Sequence, residues 1–366
     1  MECSHRFHPH TDDFRDPFAR DRDRIIHSGS FRKLEYKTQV FLNHEGDFFR
    51  TRLTHSIEVA QIARSIASSL NLSESLAEAI ALAHDLGHTP FGHIGGDKLD
   101  ECLKKDGYAN GFEHNFQSFR VVSLLEKRYK NFDGLNLTFA TLEGLLKHSY
   151  PYKKSFLPKW IEETFQLCKH PSIEAMIVDR ADEIAYISHD IDDGVNSGLI
   201  LFEDLQESSL ARRILEEVHK EGIEKEEKEM FRYRFSSHLI NYLVYALLDY
   251  SKERIPNHDG ILCATLPAES PMIIGFEKEL EKEIKILKKI LFQKLYMHHK
   301  IVRKMFSGAQ AIKGLYDALM QEPKLLSTFY YKQLERRPKH RVVADFIASM
   351  SDRYAFDLYN ELYGTA

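Results

Sequence analysis

Cysteine is scarce and scattered. Cys3, Cys102, Cys168 and Cys263 are the only four and form no CxxC pair, which argues against a zinc ribbon or a disulfide framework and fits a reducing compartment. Long apolar runs are missing as well. No uninterrupted stretch approaches the roughly 20 residues a spanning helix needs, and the opening segment "MECSHRFHPHTDDFRDPFARDRDR" lacks the apolar core of a signal peptide. The expectation is a cytoplasmic chain without a membrane span. Nor does one sign of charge dominate: 50 Lys and Arg stand against 55 Asp and Glu, for a net charge of −5. No global field therefore draws the chain to nucleic acid or anionic lipid. Strand-like alternation is rare and no internal repeat is present. What is there is a 366-residue chain, 43% apolar and 29% charged, enough for a substantial core in one large domain with appendages or in two.

The 3.6-residue period dominates, which predicts a mainly α fold. From Thr51 to Leu70, residues Leu53, Ile57, Ala60, Ala63, Ile66, Ala67 and Leu70 share a stripe, with Glu58, Gln61, Arg64 and Ser65 elsewhere. A second helix follows, with Ser73 as its N-cap and Gly87 as its stop. Further helical stretches are expected near 113–130, 138–148, 172–190, 203–220, 229–252, 275–306, 308–333 and 342–363. The one β element expected is a small hairpin in "TQVFLNHEGDFFRT" (38–51), turning at Glu-Gly-Asp. The weakest joints are 150–158, 216–230 and 254–272. The Glu/Lys-rich second joint reads as a solvated helix face. The third, with Pro256, Pro267 and Pro271, separates the main body from a carboxy-terminal helical part.

The 19 histidines include three His-Asp pairs: His84-Asp85, His189-Asp190 and His258-Asp259. A bare pair is poor evidence, and His258-Asp259 sits in a Pro/Asn/Gly loop that reads as ordinary surface. His84-Asp85 differs because it ends an apolar helix, where an imidazole and a carboxylate can converge on one ion. His55, on an earlier apolar-striped helix, offers a third ligand. A later carboxylate offers a fourth, for a divalent ion with mixed nitrogen and oxygen ligands. The source for that carboxylate is "IVDRADEIAYISHDIDDG", where Asp182, Tyr186 and Asp190 recur at i, i+4 and i+8. Taken alone, such a stripe reads as a solvated face before it reads as a site.

Four motifs, "RTRLTHSIEVAQIARSIA", "LAHDLGHTPFGH", "GFEHNFQSFRVV" and "VDRADEIAYISHDIDDG", in this order and spacing, closely resemble the HD-domain deoxynucleoside triphosphate triphosphohydrolases, in particular the bacterial dGTPase-like proteins. "FRKLEYKTQVF" before them and "ASMSDRYAFDLYNEL" near the end extend the likeness over nearly the whole chain. The resemblance implies a helical HD fold that hydrolyses a dNTP, dGTP or several of them, to deoxynucleoside and tripolyphosphate, in control of dNTP pools. Residues 1–50 would form an amino-terminal segment with a substrate-contacting loop, 51–252 the HD catalytic domain, and 253–366 a helical region packed on it. His55, His84, Asp85 and Asp182 are the implied metal ligands, for Mn, Mg, Fe, Ni or Zn. His88, His93 and His114 are implied near the scissile bond, Arg52 at a phosphate, and Tyr186 and Asp190 at the sugar.

Arg234, His238 and Tyr242, again at i, i+4 and i+8, resemble a helix closing over phosphates and base, and equally fit a core-and-rim face. Two positions depart from the pattern. Glu35 stands where many relatives carry a glutamine beside the sugar, and Gly96 where a glutamate often follows the last motif histidine by three residues. The resemblance also implies a homo-oligomer, in some members a hexamer, with regulatory dNTPs between subunits. The basic run "YYKQLERRPKHR" (330–341) keeps single-stranded DNA contact as a rival use of the chain. A further rival is an HD phosphohydrolase acting on another nucleotide.

Overall fold

The computed structural model describes residues 3–11, 14–39, 49–149, 157–223, 227–255 and 270–364. Short polar side chains set where many of its helices begin. Asp16 accepts the Ala19 N–H and opens α1 (Pro17–Ile26), and Ser28 accepts from Phe31 at the start of α2 (Gly29–Lys33). Thr51 and Thr54 cap one another's backbone at α3 (Arg52–Ser69), and Ser73 caps α4 (Glu74–Ala83) through the Leu76 N–H. Such a cap contributes about 1 kcal/mol. There follow α5 (Gly92–Lys105), α6 (His114–Arg120), α7 (Phe139–Leu146), α8 (Lys159–Thr164), α9 (Ile173–Asn196), α10 (Ser209–Lys220) and α11 (Lys228–Lys252). The carboxy-terminal part adds α12 (Lys278–Leu291), α13 (His299–Gln321), α14 (Thr328–Gln333), α15 (Lys339–Ala348) and α16 (Asp352–Tyr363).

The fold is mainly α, as expected. β structure among the described residues is confined to three isolated bridges. One of them, Thr38 to Thr51, joins the two ends of the expected hairpin, whose residues 40–48 lie outside the described residues.

The main core forms where α3 packs against α4 and α9, with α1 on α4 and α11 on α9. Alanines at 60, 63, 67, 77, 79, 81 and 83 are buried, and their small side chains let α3 and α4 approach closely. At Gly144 of α7 a Cβ would come within 2.4 Å of Ile80 Cδ1, so that crossing also depends on a missing side chain. The expected stripe of α3 is buried at Ala60, Ala63, Ile66, Ala67 and Leu70, but at its amino-terminal end the inward face differs: Ile57 is 51% exposed, while His55, Ser56 and Val59 are buried. A polar histidine thus occupies the core-facing row, at the point where the core opens into a cavity. A second core joins α5 to α13, α15 and α16 through Leu99, Leu103, Ile312, Leu315, Val343 and Ile347. It fixes the loop that follows His84-Asp85 against the carboxy-terminal helices.

The expected single helix at 275–306 is two. α12 ends at Leu291, a π turn spans Phe292–Tyr296, and His298 starts α13 by accepting the Lys300 N–H. α13 then runs unbroken through position 307, where a joint was expected. The wider π turn swings Tyr296 toward α9. Ser351 likewise divides the expected 342–363 helix by capping α16 through the Tyr354 N–H. Among the described cysteines, Cys102 and Cys168 are free thiols and Cys3 is disulfide-bonded. Among the described residues no helix is long and apolar enough to cross a membrane.

Candidate metal and active centre

Three ligand-bearing side chains from three helices converge. His55 lies in the first turn of α3, His84 is the C-cap of α4, and Asp182 lies midway along α9; one ligand atom from each falls within 4.8 Å of the others. His55 Nε2 is 2.9 Å from Asp182 Oδ1, and His84 Nε2 is 3.8 Å from the same oxygen. His84 Nδ1 donates to the Ala81 carbonyl at 2.6 Å, which fixes the tautomer and leaves Nε2 as a lone-pair acceptor. That Nε2 is buried without a hydrogen-bond partner. An orphaned buried acceptor costs about 1–3 kcal/mol, so the donor set fits a divalent cation. Asp85 stands beside this trio: Oδ1 is 3.4 Å from His84 Nε2 and 3.1 Å from His88 Nε2, while Oδ2 is 2.6 Å from an Arg52 guanidinium nitrogen.

Protonation favours the same use. Burial pushes both Asp85 and Asp182 up, but it is outweighed by Arg52, His84 and His88 around the first and by His148 and His55 around the second. Both carboxyls are held well below the usual carboxylate range. Burial lowers His84. Burial also pulls His55 down, yet Asp182 and Asp85 overcome it and raise it, a proton there competing with a cation.

The next three histidines gather on the other side of Asp85. His88 and His114 rings are 4.2 Å apart between centroids, His88 and His93 5.1 Å, and His93 and His114 5.7 Å. The cluster depends on Gly87 by close approach: a Cβ there would lie 2.1 Å from Ser118 N and 2.2 Å from His114 O, both backbone atoms of α6. Glu113 caps α6 by accepting the Asn115 and Phe116 N–H groups and lies 3.2 Å from His114 Nδ1. Burial lowers all three imidazoles, His114 to about 3 with help from the charge of His93.

The three-histidine cluster and, from the ligand trio, His55 and Asp182 line one cavity of about 860 Å³, with His84 buried just behind the wall. Arg52, His55, Asp85, His88, His93, His114, Asp182, Tyr186 and Asp190 all reach it, so most of the expected site residues are brought together. The α9 stripe faces this cavity rather than bulk solvent. Glu35 does not line it: it accepts from the Thr51 hydroxyl at 3.4 Å, while Gln39, four residues on, forms part of the wall with its Oε1 buried and unpartnered. Arg234, His238 and Tyr242 also lie elsewhere. Arg234 and His238 pair with Glu221, at 2.7 and 3.0 Å, and Tyr242 accepts from Arg213.

Other wall residues had no sequence signal or a weak one. His148 touches Asp179 at 2.5 Å and Asp182 at 3.6 Å; burial lowers it, but those carboxylates raise it well above the ordinary histidine value. Tyr296 donates to Asp190, and Asp97, directly after Gly96, lines the cavity too. Phe292, Met297, Val302 and Phe306 supply an apolar outer wall. A histidine in "LKHSY" or a tyrosine in a helical run carries no pattern that marks it; only the crossing of α7, α9 and the π turn does.

In comparison with known proteins, residues 52–187 match the HD domain, from Arg52 through Ile187, and residues 274–361 match the phosphohydrolase-associated domain that carries the apolar wall. The chain is 60% identical to a deoxyguanosinetriphosphate triphosphohydrolase-like protein of Wolinella succinogenes, over 99% of this chain and 100% of that one. The chain belongs to the deoxyguanosinetriphosphate triphosphohydrolase-like family. Like-named relatives from Geobacter sulfurreducens (43% identical, 99% of this chain and 93% of that one) and Bordetella pertussis (46%, 95% and 90%) span it as fully. It is thus an HD-domain phosphohydrolase of this family, and HD domains bind divalent metals.

Proposed function

We propose that this chain hydrolyses a deoxynucleoside triphosphate, dGTP or several dNTPs, at the α-phosphorus to release deoxynucleoside and tripolyphosphate, and so serves dNTP pool control. The observation that carries the reading is one cavity whose wall joins His55 and Asp182 of the His55/His84/Asp182 cluster to His88, His93 and His114, with Arg52 and its partner Asp85 in the same wall. His55, His84 and Asp182, with Asp85 as fourth ligand, would hold a divalent cation, which when bound supplies Lewis acidity and a water of lowered pKa.

Arg52 is positioned by Asp85 to meet phosphoryl oxygens, whose developing charge it offsets. His114 or His93 hands a proton to the departing 5′-oxygen. Tyr186 and Asp190 meet the sugar. Gln39, rather than Glu35, offers a free carbonyl oxygen to the substrate. Asp97 stands in for the glutamate absent at Gly96. Assembly as a homo-oligomer with a regulatory dNTP belongs to the same reading.

The basic run at 330–341 is partly committed to the fold, since Arg341 donates to the Gly111 carbonyl, Lys339 to that of Met320, and His340 stacks on Tyr108. That weakens its use as a DNA strip. The decisive experiment incubates the protein with Mn²⁺ or Mg²⁺ and each dNTP and identifies the products. Tripolyphosphate with deoxynucleoside is expected, and lost in His84→Ala and Asp182→Ala. Pyrophosphate or orthophosphate as first product, or turnover of only a nucleoside monophosphate, would replace this reading with another HD phosphohydrolase activity.

A further inference from the structure

The second His-Asp pair of the sequence lies directly behind the first ligand. His189 Nε2 is 2.8 Å from His55 Nδ1, with the rings 81° apart, and both side chains are about as buried as the core. One of these two nitrogens carries the hydrogen. For His55 to offer its Nε2 lone pair beside Asp182, its hydrogen must sit on Nδ1 and be donated to His189 Nε2. His189 is then protonated on Nδ1. That atom has no in-line acceptor, and Asp190 Oδ1 lies 3.0 Å from it.

The neighbouring acids are taken by other groups. Asp192 is bound by Arg232 at 2.7 Å and Arg50 at 2.5 Å, and Asp193 by the Arg50 guanidinium at 2.8 Å and its backbone N–H at 3.2 Å. Asp190 is therefore the carboxylate left to favour hydrogen on His189 Nδ1, and its other oxygen accepts from the Tyr296 hydroxyl.

We propose that His189 is a positioning residue for the cation: by accepting the His55 Nδ1–H, with Asp190 behind it, it fixes the tautomer and ring orientation of that ligand. It rests on the cation site proposed above. Partners of this kind, one step behind a ligating histidine, typically change metal affinity by about 10–100-fold when removed. Asp190, which also faces the cavity, thereby joins the substrate end of the pocket to the ligand set.

The test measures Mn²⁺ binding to chelator-treated full-length protein by electron paramagnetic resonance titration. His189→Leu is expected to weaken binding about 10–100-fold with an unchanged circular dichroism spectrum. His189→Gln, whose side-chain oxygen can accept the same hydrogen, recovers most of the loss. Equal binding by wild type and His189→Leu, or a glutamine variant no better than leucine, overturns the proposal. Should His189→Leu fail to fold, ¹⁵N shifts of labelled histidines in the wild type decide: Nδ1–H on both His55 and His189 supports the proposal, and Nε2–H on either refutes it. Wild type that takes up no Mn²⁺ rejects the cation site itself, and the inference with it.

Discussion

Asp352, the first residue of α16, accepts the backbone N–H of Phe91 at 3.0 Å through one oxygen and that of Thr38 at 2.8 Å through the other. Phe91 sits at φ +63, a left-handed conformation that L side chains rarely adopt, immediately between the His88 and His93 positions. A carboxylate more than 250 residues away in sequence thus holds the histidine-bearing loop in a strained shape. Asp352→Ala leaves two buried N–H groups unpaired, each costing about 1–3 kcal/mol. Urea unfolding is expected to show a loss of roughly 2–6 kcal/mol, with kcat falling more than KM rises. A variant as stable as wild type would mean that the loop does not need this clamp.

Gly87 offers a test of close approach. Alanine there would place its Cβ within 2.2 Å of two α6 backbone atoms, so α6 must move, carrying His114 as its first residue. Overpacking of this kind costs about 1–3 kcal/mol, and a displacement near 1 Å in an active site costs about 100-fold in rate. Gly87→Ala is expected to show both, read by thermal denaturation and single-turnover kinetics. Wild-type turnover would show that the α4–α6 contact yields without moving His114.

The ligand pair and the helices were legible because their signals are local. Ser73 and Thr51 cap helices within four residues of where they are encoded, although the helix Ser73 opens ends at Ala83, four residues before the Gly87 expected to stop it. The α9 stripe was legible as a face, but which way it pointed was not, since an i, i+4, i+8 row looks the same whether it meets solvent or a cavity. Asp182, Tyr186 and Asp190 face the cavity. Arg234, His238 and Tyr242, in the same register on α11, face Glu221 and Arg213 instead. The π turn at Phe292–Tyr296 was hidden because one extra residue in a turn barely disturbs apolar periodicity, yet it aims Tyr296 at Asp190. His148 and Gln39 reach the site only through tertiary packing.

Gly96, the departure from the family pattern, is not required by space. The nearest atoms to a Cβ there are Thr89 Oγ1 at 3.7 Å and the Phe112 ring at 3.8 Å, ordinary contact distances, and the residue lies inside α5. Gly96→Glu is therefore expected to fold, with a gain of about 0.5 kcal/mol from helix propensity, measured by differential scanning calorimetry. If Asp97 performs the missing carboxylate's task, Asp97→Asn lowers kcat and adding Gly96→Glu restores part of it. A double variant no faster than Asp97→Asn would remove Asp97 from that role.

His114 sets a proton-counting test. In the free protein, burial and then the charge of His93 push it down to about 3, so at pH 7 it carries no proton to give. Raising it to near 7 requires roughly 5 kcal/mol, at about 1.36 kcal/mol per pKa unit. A phosphoryl charge about 4 Å away supplies about 4 kcal/mol at an effective dielectric near 20, so two such charges are sufficient. A negative neighbour favours the protonated form, so the shift is upward. Binding of a non-hydrolysable dNTP analogue at pH 7 is expected to take up about half a proton or more, measured by calorimetry in buffers of different ionisation enthalpy. In turnover, kcat should fall as pH rises through the raised value, while kcat/KM, which reports the free enzyme, shows no ionisation of this group between pH 5 and 8. His114→Asn should abolish the uptake. Uptake that survives this substitution would pass the acid's role to His93, and binding without proton uptake would count against both histidines, since burial lowers each.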